Sequence, residues 1–292
     1  MNKFFISCVL VIALTDFPVF ARSSQAEDFH SNIAYVVDVD SGEVLVDRNS
    51  SAISPIASIS KLMASIVVLE SGQGLAEPLR IEREDIAWQS SAKWKLKVGT
   101  EMSRKRVLRV GLMSSENRAI NALARSYIGG MEAFVAAMNL KAKELGMAHT
   151  HFIEPTGLSP QNVSTAQDLV LLLQESMRHP LIQEFSTTEK FNVVDGIHAP
   201  QPFVNTNPIV RNEIMDILVQ KTGYIAAAGR CLVMEAKIKG RNIAMVFLQS
   251  NGKNTRFKDA LFAKAALEKF NSLNVSYGSS AAPKLFCSQS PI

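Results

Sequence analysis

The chain has 292 residues and a mass of 32.0 kDa, room for one large domain or two modest ones. With 47% apolar and 20% charged residues it excludes a long disordered segment, and no internal repeat is present. The formal charge of +4 is spread thinly: the one basic cluster, Arg104-Lys105-Arg106 with Arg109, is not interleaved with aromatics, so no nucleic acid partner is expected. A diffuse positive field suits a polyanionic wall polymer or an anionic membrane surface.

Residues 1–26 read as a secretory signal peptide. Lys3 gives a positive start, and Phe4 to Leu14 forms an apolar run too short to span a bilayer before Asp16. Val19-Phe20-Ala21 and Ser24-Gln25-Ala26 are two small-residue cleavage sites, so cleavage is expected after residue 21 or 26. The mature chain then holds one folded domain over 27–270, a flexible Ser- and Ala-rich tail over 271–292, and no integral membrane segment or amphipathic anchor. Of the three cysteines, Cys8 falls in the leader. Cys231 is expected free and buried, although export permits a disulfide to Cys287. Without a Cys-x-x-Cys pair, redox chemistry and a thiolate metal site are poorly supported.

Ile33 to Val39 and Glu43 to Asp47 read as two strands joined by the turn Asp40-Ser41-Gly42. After a polar stretch and Pro55, Ser58 to Glu70 has helical patterning, with Leu62, Ile66 and Leu69 near one face and a stop at Gly72. Residues 81–99 are mixed. Helices are expected over Lys105 to Met113, after the pause Ser114-Ser115-Glu116-Asn117 through Tyr127, over Met131 to Leu145 up to Gly146, and over Leu169 to Met177 behind a capping box of Ser164 and Gln167. Strand character returns at Lys190 to Val194, Ile217 to Lys221, Arg230 to Ile238 and Asn242 to Gln249, the last two joined at Lys239-Gly240. Thr255 to Phe270 closes the fold as an amphipathic helix that buries Phe257, Leu261, Ala265 and Leu267. The order strands, helices, strands, helix predicts an α+β fold: one antiparallel sheet built from both chain ends, beside an inserted helical subdomain.

Three polar signals stand in that frame: Ser58-Ile59-Ser60-Lys61, Ser115-Glu116-Asn117 and Lys221-Thr222-Gly223. Lys61 lies one turn beyond Ser58 on the same face, so its amine can reach the hydroxyl. A lysine desolvated beside a second cation, here Lys221, loses its proton and can serve as base to a serine nucleophile. Ser115 could pass a proton to a leaving amine, and the Asn117 amide could hold Lys61 or a substrate backbone. Lys221 and Thr222 could bind a carboxylate where Gly223, read as a strand end, lets a ligand approach. Each signal alone is also met as a helix cap, a solvated lysine or a strand turning out to solvent. Ser60 reads as a packing or surface residue. The five histidines, His30, His149, His151, His179 and His198, fall in no nucleophile or zinc motif and are expected at surfaces and in loops.

Taken in order, the three signals form the set Ser-x-x-Lys, Ser-x-Asn and Lys-Thr-Gly of penicillin-interacting enzymes. The sequence resembles the low-molecular-mass penicillin-binding proteins, the serine-type D-Ala-D-Ala peptidases, from Ile33 to Phe270. The likeness extends through Glu154-Pro155-Thr156-Gly157-Leu158-Ser159, Asn162-Val163-Ser164-Thr165-Ala166 and Ala228-Gly229-Arg230-Cys231-Leu232-Val233-Met234. The resemblance implies a β-lactamase/D-Ala-D-Ala peptidase-like fold in the periplasm. It assigns Ser58 as nucleophile, Lys61 as general base, Ser115 as proton relay, and Asn117, Lys221, Thr222 and Gly223 as the substrate cleft. The family's oxyanion hole falls on the backbone N–H groups of Ser58 and Tyr224. Peptidoglycan cross-links and β-lactam antibiotics are the implied partners, and no metal or cofactor is needed; the oligomeric state is left open.

Because the chain stops soon after Phe270, short of a second β-rich domain, the resemblance points to the D-alanyl-D-alanine endopeptidase branch, with carboxypeptidase action as the alternative. A β-lactamase fits less well: Glu154-Pro155 echoes the deacylating Glu-Pro-x-Leu-Asn of those enzymes, but no asparagine follows in register. A sensor that binds penicillin without turnover is the remaining reading.

Overall fold

The computed structural model describes residues 29–86 and 95–277. The leader with Cys8, and the end of the tail with Cys287, lie outside these residues. In chain order the strands are β1 (Ile33–Asp38), β2 (Val44–Arg48), β3 (Ser54–Pro55), β4 (Pro78–Arg80), β5 (Glu101–Ser103), β6 (Val163–Ser164), β7 (Lys190–Val193), β8 (Gln201–Val204), β9 (Asp216–Ile225), β10 (Gly229–Ile238) and β11 (Arg241–Ser250). The helices are α1 (Ser60–Glu70), α2 (Arg104–Met113), α3 (Asn117–Arg125), α4 (Gly130–Glu144), α5 (Ala166–Met177), α6 (Pro180–Thr187), α7 (Pro208–Arg211) and α8 (Thr255–Tyr277).

Strands from the two chain ends form one five-stranded sheet in the order β2-β1-β11-β10-β9, with every pair antiparallel. The expected α+β architecture is the one observed. Alternation along each strand sends side chains to two faces. On one face Leu232, Met234, Met245 and Phe247 pack with Phe257, Ala260 and Ala263 of α8, and Phe29 stacks on Phe247 at 5.8 Å between ring centroids. On the other, Cys231, Val233, Val246 and Leu248 join the core of the helical lobe. At the middle of that lobe lies α1, buried from Ser60 to Val68 rather than along one stripe, because other helices surround it.

Several boundaries differ from the sequence reading. The cap of α5 is one residue later than expected: Thr165 accepts from the Asp168 N–H at 3.1 Å, while Ser164 is drawn into β6 and Gln167 reaches Ser50 Oγ. Lys190–Val193 does not join the main sheet; it pairs with β8, whose Pro202 masks strand character in the sequence. Lys221-Thr222-Gly223 lies inside β9 rather than at its end, because Gly223 is held in register against Cys231 of β10. Along α8 it is Ala260 and Ala263 that are buried, and Ala265 is exposed. This helix runs to Tyr277, so the boundary expected at Phe270 falls within it.

Two members of the basic run are taken up by the fold, while Lys105 stays exposed. Arg104 is buried and bonded to Ser126 and Glu77, and Arg109 pairs with Glu184 while stacking on Phe185 and Phe191. No helix among the described residues is long and apolar enough to cross a membrane.

Candidate active site

Ser58 sits in a 3-10 turn, Ala57–Ile59, that leads directly into α1. The turn is built under restraint: Ala57 has φ +48°, a left-handed conformation that costs a non-glycine residue about 1 kcal/mol or more. Neighbouring segments hold it there. The Ile56 N–H donates to the Asn162 carbonyl, Ser60 Oγ donates to the Ala57 carbonyl at 2.9 Å, and Asn162 Nδ2 donates to Ser60 Oγ at 3.0 Å. Ser60, expected as a packing or surface residue, is thus a buried strut of the turn.

One helical turn later, Lys61 is fully buried, and its Nζ lies 2.9 Å from Ser58 Oγ and 2.5 Å from the Thr156 carbonyl. Burial pulls this amine down to about 7, against a smaller opposing pull from the carboxylates of Glu154 and Glu116. A neutral amine is therefore well populated near neutral pH, as a base to the Ser58 hydroxyl requires. Lys221 is also fully buried and held well below its ordinary value, first by burial and then by the charges of Lys61 and Arg256. Its Nζ donates to the Thr222 carbonyl at 2.8 Å.

Strand β9 passes against the nucleophile turn. A Cβ on Gly223 would stand 2.9 Å from the Ile56 carbonyl oxygen and 3.1 Å from Ser58 N, so only glycine allows this approach without displacing backbone. Lys221, two residues back, projects to the same face. The Thr222 hydroxyl lies 2.6 Å from that of Thr206, whose N–H donates to the Met113 carbonyl at the end of α2. Tyr224 follows with its ring exposed and stacked under the Arg230 guanidinium at 4.4 Å. As the sheet's edge strand, β9 has one side free of strand pairing among the described residues, where an extended peptide can add.

The third element arrives between α2 and α3. Ser115 has φ +61°, a second strained non-glycine residue, and is half-buried. Glu116 and Asn117 are buried; Glu116 Oε1 and Asn117 Oδ1 have no hydrogen-bond partner among the described residues. Burial raises the Glu116 carboxyl. Neither Ser115 nor Asn117 bonds to Ser58 or Lys61 among the described residues. The sequence-predicted residues are thus brought together most tightly at Ser58, Lys61 and Gly223, and Glu116, between Ser115 and Asn117, is near enough for its carboxylate to act on the Lys61 amine.

The sequence reading gave no role to three further groups: the Thr156 carbonyl, the Glu154 carboxylate and the Asn162 side chain. Glu154 Oε2 accepts from Thr156 N at 2.7 Å and Thr156 Oγ1 at 2.6 Å, and Oε1 from Gly157 N at 2.6 Å and Ser159 N at 3.3 Å. Their signal lay in the runs Glu154 to Ser159 and Asn162 to Ala166, which entered the sequence reading through the likeness and, for Glu154-Pro155, through the echo of a deacylating motif. No histidine adjoins Ser58. The one group of metal-ligating type among the described residues is Glu70, Glu175 and His179. It sits at the far end of α1, and Lys141 and Arg178 already pair with its carboxylates at 2.6 and 3.6 Å.

Comparison with known proteins shows the family and the fold. The family model for D-alanyl-D-alanine carboxypeptidases matches residues 20–252. A D-alanyl-D-alanine endopeptidase of Escherichia coli is 42% identical over 241 residues, which span 82% of this chain and 78% of that protein. One from Pseudomonas aeruginosa is 43% identical over 243 residues, 83% of this chain and 78% of that protein. A penicillin-binding protein of Listeria monocytogenes, solved in its ampicillin-bound form, superimposes with a TM-score of 0.70 at 28% identity, over 82% of this chain and 98% of that one. A Streptomyces DD-transpeptidase shares the fold with a TM-score of 0.75 at 24% identity, over 83% of this chain and 98% of that one. With a family match over most of its length and relatives above 40% identity, this chain belongs to the D-alanyl-D-alanine carboxypeptidase family of serine peptidases.

Proposed function

We propose that this protein is a serine-type D-alanyl-D-alanine endopeptidase that hydrolyses peptidoglycan cross-links through an acyl-enzyme, and that penicillin acylates the same serine. The observation that carries the reading is the 2.9 Å approach of the buried Lys61 amine to Ser58 Oγ. In the acylation step Lys61 takes the Ser58 proton as Oγ bonds to the D-Ala carbonyl carbon. The oxyanion that forms is met by the backbone N–H groups of Ser58 and Tyr224. Collapse breaks the C–N bond, and the leaving amine takes a proton relayed through Ser115. Water then attacks the ester, regenerating Ser58 and releasing the donor peptide. Lys221, Thr222 and Asn117 hold the substrate, whose backbone adds along β9 where Gly223 gives it access. No step calls on a metal or cofactor.

Endopeptidase action is favoured over carboxypeptidase action by the names of the two relatives above 40% identity. The fold of Glu154 speaks against a β-lactamase: its two oxygens already accept four hydrogen bonds, leaving it poorly placed to activate a deacylating water. A signal peptide read over residues 1–26 and a cell-wall substrate support a periplasmic location. Two assays on purified protein test the reading. Fluorescent penicillin should label the wild type and not Ser58→Ala, and cross-linked muropeptide dimers should yield monomers. Release of free D-Ala alone would shift the assignment to carboxypeptidase, and undiminished labelling of Ser58→Ala would end it.

A further inference from the structure

Among the described residues the Lys61 amine has two hydrogen-bond partners, and they have different duties. A neutral amine carries two N–H bonds and one lone pair. To take the Ser58 proton it must aim the lone pair at Oγ, so one N–H needs a fixed acceptor elsewhere. The Thr156 carbonyl, 2.5 Å away and 95 residues along the chain, is that acceptor.

What fixes the carbonyl is visible in one peptide plane. The Thr156 C=O and the Gly157 N–H belong to the same trans peptide and point in opposite directions. The N–H end donates to Glu154 Oε1 at 2.6 Å, and the C=O end meets Lys61 Nζ. Glu154 Oε2 grips the preceding residue through both Thr156 N and Oγ1. Gly157 adopts φ +81°, and a Cβ there would lie 1.8 Å from the Ala57 carbonyl oxygen, so this plane is pressed onto the nucleophile turn. Asn162 ties the two segments together, donating to Ser60 Oγ and to the Glu154 carbonyl.

We propose that Glu154 is a positioning residue for acylation: by clamping the Thr156–Gly157 peptide it holds the Thr156 carbonyl against Lys61 Nζ and so aims the base at Ser58 Oγ. Its negative charge also favours the protonated amine. Among the described residues the charged or titratable groups that face Lys61 are Glu154 from this loop, Glu116 from the segment before α3, Lys221 from β9 and Ser58 from its own turn. Replacing Glu154 with a neutral side chain therefore has two consequences: the base loses its aim, and it loses a stabiliser of its charged form. A loop that merely supports the fold would change neither the aim nor the proton affinity of Lys61.

The inference rests on the proposed acylation chemistry and is tested by the pH dependence of the second-order rate of acylation by fluorescent penicillin. Glu154→Gln is expected to slow acylation about 10- to 100-fold at the optimum, the scale for a misplaced catalytic group, and to move the acid limb to lower pH. Glu154→Asp retains the charge on a shorter arm, so it should be slowed with its acid limb within 0.2 pH units, roughly the error of such a midpoint, of the wild type. It also serves as the informative variant if Glu154→Gln does not fold. Acylation by Glu154→Gln within about twofold of wild type, or a loss equal at every pH, would overturn the proposal. So would a wild-type rate in Glu154→Asp. Wild-type acylation in Ser58→Ala would instead sink the underlying reading, so the two failures are distinguishable.

Discussion

The two faces of the central sheet are built on opposite principles. Towards α8, Ala34, Val36, Leu232, Met234, Met245 and Phe247 meet Phe257 and Ala263 in an apolar layer closed by Phe29. Towards the helical lobe the sheet is equally well packed, yet its edge buries Lys61, Lys221, Glu116 and Asn117. Fully burying an apolar side chain stabilises by about 1.5–3 kcal/mol, whereas burying an amine without a paired carboxylate costs free energy and shifts its pKa. The apolar packing on both faces therefore carries stability, and the polar seam at the edge is held in place by it. The strained turns at Ala57 and Ser115 belong to that seam.

That contrast can be broken from the seam side most severely. Lys61→Met should lower penicillin acylation by about 10²- to 10⁴-fold, the usual contribution of a general base, yet raise the melting temperature. The sign follows from linkage. The folded-state value of Lys61 is lowered from 10.5 to about 7, so the cost of burying it is fully present below about 7 and disappears as pH rises towards 10.5. The gain from Lys61→Met should shrink across the same window in thermal melts, and a variant less stable than wild type at pH 6 would contradict the contrast. From the apolar side, Phe247→Ala should cost about 3–5 kcal/mol in denaturant unfolding while the folded fraction acylates at the wild-type rate. A matching loss of acylation rate would mean the faces are not separable.

Smaller effects sharpen the same picture. Acylation by wild-type protein should fall about tenfold per pH unit below about 7, as Lys61 becomes protonated, and stopped-flow rates from pH 5 to 8 would show it. Thr165→Ala should cost about 1 kcal/mol, because it removes only the cap of α5, whereas Ser164→Ala should not affect that cap. Least of all, Cys231 should resist alkylation in the native protein. Burial pushes its thiol up to about 12, and peptide mapping after iodoacetamide treatment with and without urea would detect the difference.

What could be read in advance follows a physical division. Ser58 and Lys61 were legible because a helical turn brings the fourth residue back over the first, a relation local to the sequence. The two halves of the sheet were legible from alternation and from the hairpin turns at Asp40-Ser41-Gly42 and Lys239-Gly240. The cap at Thr165 was misplaced because pairing of Ser164 with Ser54, a partner 110 residues away, decided between two adjacent candidates. Gly223 looked like a strand end because propensity cannot register the β10 partner that keeps it extended.

By itself the sequence determined the chemistry available here: a serine and a lysine one helical turn apart, a second lysine beside a glycine, and an order of elements that makes one sheet from both chain ends. Only the tertiary structure decided that Lys61 would be stripped of water, that Gly223 would press against Ser58, and that Glu154 would turn the Thr156 carbonyl onto the amine. The reason is that desolvation and hydrogen-bond direction are properties of neighbours in space. A residue's charge is encoded in its side chain, but its proton affinity is set by what the fold places around it.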